Sequence, residues 1–273
     1  MNRDSKNKAR SSLPRIGQID FSNCLPINLP IKKGAVVLEG EFVSRVPSGL
    51  NALIEAGDLD VSAVSLYCYL NCPSLSLVPG ISVSSLGPVG SVLFFYQGDL
   101  KDLDKAPVLV PNASATSINL LRVILDQEAS VKADFKTVVT PDLPGSSASG
   151  ALIIGDEALK VDKSWSASFN RIDLGKWWFD RFKLPMVFGV WAARSEFVEQ
   201  EPTRYKEIEE ALNRSRDLGL SSHLEEVVEA AADHMLLDRE RVKRYFIEEL
   251  DYNLGDEHRK SIELFQKLCG SLN

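Results

Sequence analysis

The sequence lacks an excess of positive charge and contains little histidine. Its 31 lysine and arginine residues are outnumbered by 38 aspartate and glutamate residues, which gives a formal net charge of −7. Proteins that bind nucleic acid through its phosphates need the opposite sign, so we exclude a nucleic-acid partner. The three histidines, His223, His234 and His258, all lie near the C-terminus. The preceding β-rich part of the chain therefore offers no imidazole base.

Long apolar runs are also missing. Nowhere does the chain contain the ~18 consecutive apolar residues that a membrane-spanning helix needs, so we expect no membrane association. The N-terminal stretch is polar and basic and leads into no apolar segment of the kind found in a secretory signal. We therefore expect residues 1–14 to form a disordered tail and the protein to be cytoplasmic.

Cysteine is too sparse to indicate a disulfide framework or a zinc site. The four cysteines are Cys24, Cys68, Cys72 and Cys269, and a single Cys-x3-Cys pair does not make a zinc site. We expect reduced structural thiols and no metal, although the sequence leaves a catalytic Cys–His pair open. Signatures of dinucleotide binding, P-loop hydrolysis, zinc proteolysis and α/β-hydrolase chemistry are missing as well.

What is present is an alternation of strand and helix patterns with a helical end. After a strand–helix–strand unit over residues 41–64, the pattern recurs to residue 193, and from residue 203 to 268 three or four amphipathic helices follow. This order predicts an α/β fold with two lobes and a central cleft. In such folds ligands bind where strands end and helices begin. Strands are predicted over residues 15–21, 41–46, 59–64, 89–96, 106–110, 151–156 and 185–193.

Four strand-to-loop junctions carry small hydroxyl, amide and glycine groups and few charges. Such groups, beside the free N–H groups of a helix start, form an anion site without formal positive charge, and a carboxylate is the natural ligand. The alternative is purely structural: Ser114, Thr116 and Asp156 cap helices, and Asn23 closes a loop. The junctions span residues 22–23, 62–65, 84–91 and 112–117.

Eight short sequence strings follow one another along the chain: RIG (15–17), NCLP (23–26), VPSGLN (46–51), GDLDVS (57–62), the SVSS and GPVGSV pair (82–92), SATS (114–117), IGDEAL (154–159) and LP with VF and VWA (184–192). Each string is weak alone, but eight of them in order are specific. Together they resemble the chorismate dehydratase family of the futalosine route to menaquinone.

The resemblance implies a fold, a reaction and a partner. It implies a two-lobed fold like that of type 2 periplasmic binding proteins, with one lobe from residues 15–96 and 189–273 and the other from 97–188. It implies that chorismate is converted to 3-[(1-carboxyvinyl)oxy]benzoate and water, a carbon–oxygen lyase reaction without metal or redox cofactor. Chorismate is then the expected partner, and the protein is expected to be a monomer or homodimer.

The same resemblance implies roles for two groups of residues. Asn23 contacts the ring or the departing hydroxyl, and Asp156 is a candidate acid or base, with a carboxylate of the substrate itself as the alternative base. The second group supplies hydroxyl or backbone donors to the substrate. Its members are Ser22, Ser62, Ser84, Ser85, Gly90, Ser91, Ser114, Ala115 and Thr116.

Two other functions stay open from the sequence. The related 1,4-dihydroxy-6-naphthoate synthase shares the fold, but its family is associated with a histidine in the cleft, which we do not expect here. A solute-binding protein of the same fold would bind a small carboxylate and catalyse nothing. We do not expect a transport role, because the sequence shows neither a signal peptide nor a lipidation cysteine.

Overall fold

The structure, a computed structural model, describes residues 13–19 and 21–271. The expected tail lies outside the described residues except for Leu13 and Pro14. The described residues form ten strands and eleven α-helices. The strands are β1 (Arg15–Ile19), β2 (Glu41–Arg45), β3 (Val61–Ser65), β4 (Leu75–Ser85), β5 (Val92–Tyr96), β6 (Pro107–Pro111), β7 (Asp134–Val138), β8 (Gly150–Ile154), β9 (Asn170–Asp173) and β10 (Met186–Arg194).

The helices fall into two sets, those that alternate with strands and those at the C-terminal end. The first set is α1 (Leu25–Lys32), α2 (Pro47–Glu55), α3 (Leu66–Asn71), α4 (Ala115–Ala129), α5 (Gly155–Trp165) and α6 (Leu174–Phe182). The second set is α7 (Ser195–Gln200), α8 (Pro202–Gly219), α9 (Leu224–Met235), α10 (Arg239–Arg244) and α11 (Asp256–Gly270). A π-helical turn over Tyr245–Glu249 continues α10. The expected series of C-terminal helices is confirmed.

The strands form two five-stranded sheets of similar plan. The first has the order β2-β1-β3-β10-β4 and the second the order β7-β6-β8-β5-β9. In each sheet three neighbouring strands are parallel, and a fourth strand, β10 in the first sheet and β5 in the second, runs antiparallel to both of its neighbours. Strand β3 is buried at all five positions, as its unbroken run of small and apolar residues predicts.

Sheet membership divides the chain differently from the expected lobe boundaries. Strand β5, expected in the first lobe, pairs with β8 and β9 of the second sheet. Residues Met186 and Val187, expected in the second lobe, pair with β4 of the first sheet. The chain therefore crosses between sheets before Val92 and again before Met186. A strand pattern reveals that a strand exists but not which sheet it joins.

The larger of two core clusters extends through both sheets and the C-terminal helices, and a smaller cluster involves β5, β8 and α5. Trp178 and Trp191 are 0% and 2% exposed. The indole of Trp178 donates to the Ser261 hydroxyl of α11 at 3.0 Å and its ring packs against Phe265. None of the helices in the described part of the chain is long and apolar enough to cross a membrane.

Candidate active site

A pocket lies where the two sheets face each other. It spans about 570 Å³, a volume that includes space open to solvent. The carboxyl ends of β1, β3 and β8 and the starts of α2, α4 and α5 contribute to its wall. We call it the cleft pocket. Its lining residues are Ile19, Phe21, Asn23, Cys24, Pro47, Val64, Ser65, Val83, Ser91, Val92, Ala113, Ser114, Ser117, Ile154, Gly155, Phe188 and Gly189.

Asn23 presents an unused acceptor at this pocket. It lies in a short 3-10 turn, Ser22–Cys24, between β1 and α1. Its side-chain oxygen Oδ1 is buried and has no hydrogen-bond partner among the described residues. Its backbone oxygen accepts from the phenol of Tyr252 at 2.8 Å. A buried amide oxygen left without a donor is costly, so a ligand hydroxyl is the natural partner for it.

Ser91, the residue directly before β5, also lines this pocket. Its Oγ accepts a hydrogen bond from the phenol of Tyr245 at 2.9 Å. Its backbone oxygen accepts from the N–H of Gly155 at 2.7 Å, which ties β5 to the start of α5. Both the hydroxyl and the backbone of Ser91 are therefore fixed in place.

The start of α4 forms the third polar part of the wall. Ser114 caps this helix, as the structural alternative predicts: its Oγ accepts from the Ser117 N–H at 3.3 Å and donates to the Ser117 hydroxyl at 2.7 Å. Ser114 also lines the pocket. The first-turn N–H groups of Ala115 and Thr116 have no acceptor within the helix. The Thr116 hydroxyl, by contrast, accepts from the N–H of Tyr67 at 3.1 Å.

Of the nine expected ligands, only Ser91 and Ser114 line the cleft pocket; Ser22, Ala115 and Thr116 lie beside it but not in its lining. The other four are Ser62, Ser84, Ser85 and Gly90. The three hydroxyls donate to backbone carbonyls at 2.8–3.2 Å. The Gly90 amide donates to the Asp173 carboxylate at 2.9 Å. Because these groups already have partners within the fold, we leave them out of the proposed site. A junction in the sequence does not reveal which of its hydroxyls faces the cleft.

Asp156 lies at the start of α5, next to the cleft pocket but not in its wall. It lines an outer chamber together with Lys160 and His234. Its Oδ2 accepts from the Ser22 hydroxyl at 2.8 Å, and its Oδ1 is buried without a partner among the described residues. Burial raises the pKa of Asp156, and the hydrogen bond from Ser22 and the nearby His234 offset part of this rise.

His234 is the site residue that sequence reasoning missed. Its Nε2 lies 3.4 Å from Oδ2 of Asp156, and its side chain is 66% exposed. We expected no histidine at the cleft because none precedes residue 223, but α9 packs beside α5 and places His234 in the outer chamber. The expectation is wrong for this chamber. No local signal marks a contact between residues so far apart in sequence.

Cys24 lines the cleft pocket but is not a thiolate. Burial raises its pKa to about 12, and the nearby Asp156 adds to the rise. A protonated thiol is a poor nucleophile, so the geometry does not favour a Cys–His pair. All four cysteines are free. Within residues 13–19 and 21–271, no three His, Cys, Asp or Glu side chains converge as metal ligands would.

Comparison with known proteins identifies the family. Residues 14–271 match the family model described as menaquinone biosynthesis. The chain belongs to this menaquinone biosynthesis family. A chorismate dehydratase from Thermus thermophilus is 33% identical, with 93% of this chain and 94% of that protein covered. The family resemblance seen in the sequence is confirmed.

Solved structures confirm the fold of this family member. A protein from Archaeoglobus fulgidus superposes with a TM-score of 0.77 at 19% identity, covering 94% of this chain and 97% of that one. A Candida albicans protein described as having the generic periplasmic binding protein fold gives 0.67 at 13% identity, covering 96% and 91%. The expected two-lobed, type 2 periplasmic-binding-protein-like fold is therefore confirmed.

Proposed function

We propose that this member of the menaquinone biosynthesis family is a chorismate dehydratase. It converts chorismate to 3-[(1-carboxyvinyl)oxy]benzoate and water in the cytoplasm, as a hydro-lyase of the futalosine pathway. Its similarity to the Thermus thermophilus enzyme over nearly the whole chain supports this proposal. The observation that carries it is a pocket that combines a helix start, hydroxyl groups and one unused amide oxygen.

The reaction makes modest demands on the protein. A proton leaves ring carbon C3 and hydroxide leaves C4; together they form water, and the ring becomes aromatic. The aromatic product supplies much of the driving force. The site therefore has to hold two carboxylates in a fixed orientation, exclude water and move one proton.

The polar groups of the pocket suit the first of these tasks. A substrate carboxylate accepts hydrogen bonds from the first-turn N–H groups at Ala115 and Thr116 and from the hydroxyl of Ser91, while Ser114, whose own proton goes to Ser117, holds the helix start in place. The positive end of the α4 dipole favours an anion at the same place. The Asn23 Oδ1 then accepts from the C4 hydroxyl and orients it for departure.

Two groups can take part in proton transfer. Asp156, which accepts a hydrogen bond from Ser22, is one candidate, because burial raises its pKa above the ordinary value of a carboxyl group and so favours proton uptake. A carboxylate of the substrate itself is the other candidate. Turnover by an Asp156→Asn variant at more than a tenth of the wild-type rate would favour the substrate carboxylate.

The deciding experiment mixes purified protein with chorismate and follows the ultraviolet spectrum. We expect the aromatic product to accumulate without added metal or cofactor. An unchanged spectrum, together with tight binding of another small carboxylate, would instead support the solute-binding alternative. An unchanged spectrum without such binding would favour the naphthoate synthase alternative, which the His234 contact in the outer chamber keeps open.

A further inference from the structure

We propose that Tyr245 is a positioning residue that aims the hydroxyl proton of Ser91 into the cleft pocket. This inference rests on the proposed function and deepens it, because it assigns Ser91 as a donor to a substrate carboxylate. Tyr245 lies outside the pocket wall, in the C-terminal helical region, and acts only through Ser91.

The hydrogen bond between the two residues has a defined direction. The Tyr245 phenol donates to Oγ of Ser91 at 2.9 Å, and the Tyr245 side chain is 0% exposed. Burial also raises the pKa of Tyr245 well above that of a free phenol, so the phenol keeps the proton that it donates. A serine hydroxyl has one proton to donate and two lone pairs to accept with. With one lone pair occupied by Tyr245, the Ser91 proton is left for a ligand.

The backbone around Ser91 is held by the same C-terminal turn. Tyr245 begins the π-helical turn Tyr245–Glu249, a rare form that is frequent at functional sites. Glu249, at its other end, packs so closely on Gly90 that a Cβ added to Gly90 would lie 2.3 Å from its carboxylate. Gly90 has a φ of +65°, which favours glycine. One turn therefore fixes both the backbone at Gly90 and the hydroxyl at Ser91.

The consequence is a preorganised donor. Without the Tyr245 hydroxyl, the Ser91 hydroxyl is free to rotate, and its proton no longer points in one direction. A hydrogen bond to a charged group contributes more than one between neutral groups, so we expect Tyr245→Phe to lower kcat/KM for chorismate by about tenfold. The phenyl ring remains, and so the packing of this buried site is kept.

A double-mutant cycle tests the pairing. We compare wild type, Tyr245→Phe, Ser91→Ala and the double variant by kcat/KM, with binding of the aromatic product as a second readout. If Tyr245 acts through Ser91, the tenfold loss from Tyr245→Phe disappears once Ser91 is alanine. Tyr252→Phe is the matched control: it also removes a buried phenol, one that donates to the Asn23 backbone oxygen, and its effect should be the same with or without Ser91.

Thermal melting provides a readout that does not depend on catalysis. Ser91→Ala leaves the Tyr245 phenol buried without its acceptor, which lowers the melting temperature, and adding Tyr245→Phe restores it. If the losses of the two single variants simply add in the double variant, both in kcat/KM and in melting temperature, the inference is overturned. The proposed function would not be affected by that result. A wild-type protein that does not convert chorismate would overturn the proposed function, and this inference with it.

Discussion

At the scale of single residues, the cleft is marked by groups whose hydrogen bonds are incomplete. Three buried side-chain atoms in the described residues have no partner, and two of them are Oδ1 of Asn23 and Oδ1 of Asp156. Buried polar atoms are nearly always paired in folded proteins, so such exceptions need an explanation. Asn23 lines the cleft pocket and Asp156 lines the neighbouring outer chamber, which is where a bound ligand would supply the missing partners.

Asn23→Ala tests whether this free oxygen serves the ligand. We expect kcat/KM for chorismate to fall by roughly 10- to 100-fold, the range for a lost hydrogen bond in a buried site. The melting temperature should change little, because the variant strands no protein donor. Asn213→Ala is the contrasting control, since its amide donates to Pro79 and Glu209 backbone oxygens far from the pocket. It should lower stability and leave kcat/KM unchanged; the opposite pattern for the two variants would contradict the assignment.

Asp156 should make stability depend on pH in a defined direction. Because burial raises its pKa above the ordinary value of 3.8, the folded protein keeps a proton that the unfolded chain has already lost. The contribution of Asp156 to the free energy of unfolding is therefore most favourable at low pH and is lost as the pH rises through the raised pKa. Asp156→Asn removes this titration, so its stability relative to wild type should increase between pH 4 and pH 7.

Denaturant unfolding at several pH values measures this effect. Asp233→Asn, which removes an exposed carboxylate on the same helix as His234, is the control and should change the pH dependence much less. A stability difference between Asp156→Asn and wild type that stays constant with pH would show that Asp156 has the same pKa in the folded and unfolded chains.

At the scale of elements, α4 has two roles at its first turn, and one residue serves both. Ser114 caps the helix and lines the pocket. Ser114→Ala should cost about 1 kcal/mol of stability through the lost cap and should also weaken substrate binding. Ser114→Asp separates the roles, because aspartate is a good N-cap but places negative charge where a carboxylate binds.

We therefore expect the Ser114→Asp variant to have a melting temperature close to that of wild type and a strongly raised KM for chorismate. The two quantities are measured by thermal melting and steady-state kinetics on the same preparation. Asp238→Ala, which removes the cap of α10, is the control for a capping loss alone and should leave KM unchanged. A Ser114→Asp variant with an unchanged KM would place the substrate carboxylate elsewhere.

The sequence predicts most elements but misses those without a strong pattern. Seven of the ten strands follow apolar or alternating runs and were predicted. Strand β4 contains Pro79 and Gly80, a dipeptide typical of turns, and is paired with a regular strand only on its β10 side. Strand β7 is a largely exposed edge strand, and β9 has four residues. In these two strands tertiary pairing, not local pattern, decides the structure.

The candidate site was predictable only to the level of junctions. Asn23, Ser91 and Ser114 come from predicted junctions and line the pocket. Ser62 lies in a predicted junction as well, but within β3, where its hydroxyl bonds to a neighbouring carbonyl. The contacts of Tyr245 and His234 join residues from distant parts of the chain. Such contacts depend on how the C-terminal helices pack, which periodicity does not specify.

At the scale of the whole molecule, negative charge is concentrated away from the strands that build the pocket. Residues 195–273 hold 19 acidic and 11 basic side chains, whereas residues 1–194 hold 19 acidic and 20 basic ones. The C-terminal helices therefore carry the excess negative charge. A dianionic substrate approaches a protein of net charge −7 against a weak long-range repulsion, and only short-range donors at α4 and β5 favour its binding.

This division predicts the salt dependence of catalysis. The Debye length shrinks from about 30 Å at 0.01 M salt to about 8 Å at 0.15 M, so salt screens the long-range repulsion more than the short-range hydrogen bonds. We expect kcat/KM for chorismate to stay constant or rise over this range of potassium chloride. A triple variant that changes the exposed residues Glu207, Glu210 and Glu263 to glutamine should flatten any rise, because it removes three negative charges from the C-terminal helices. A steep fall of kcat/KM with salt would indicate attraction by positive charge near the cleft, and the anion site would then have to include cationic side chains.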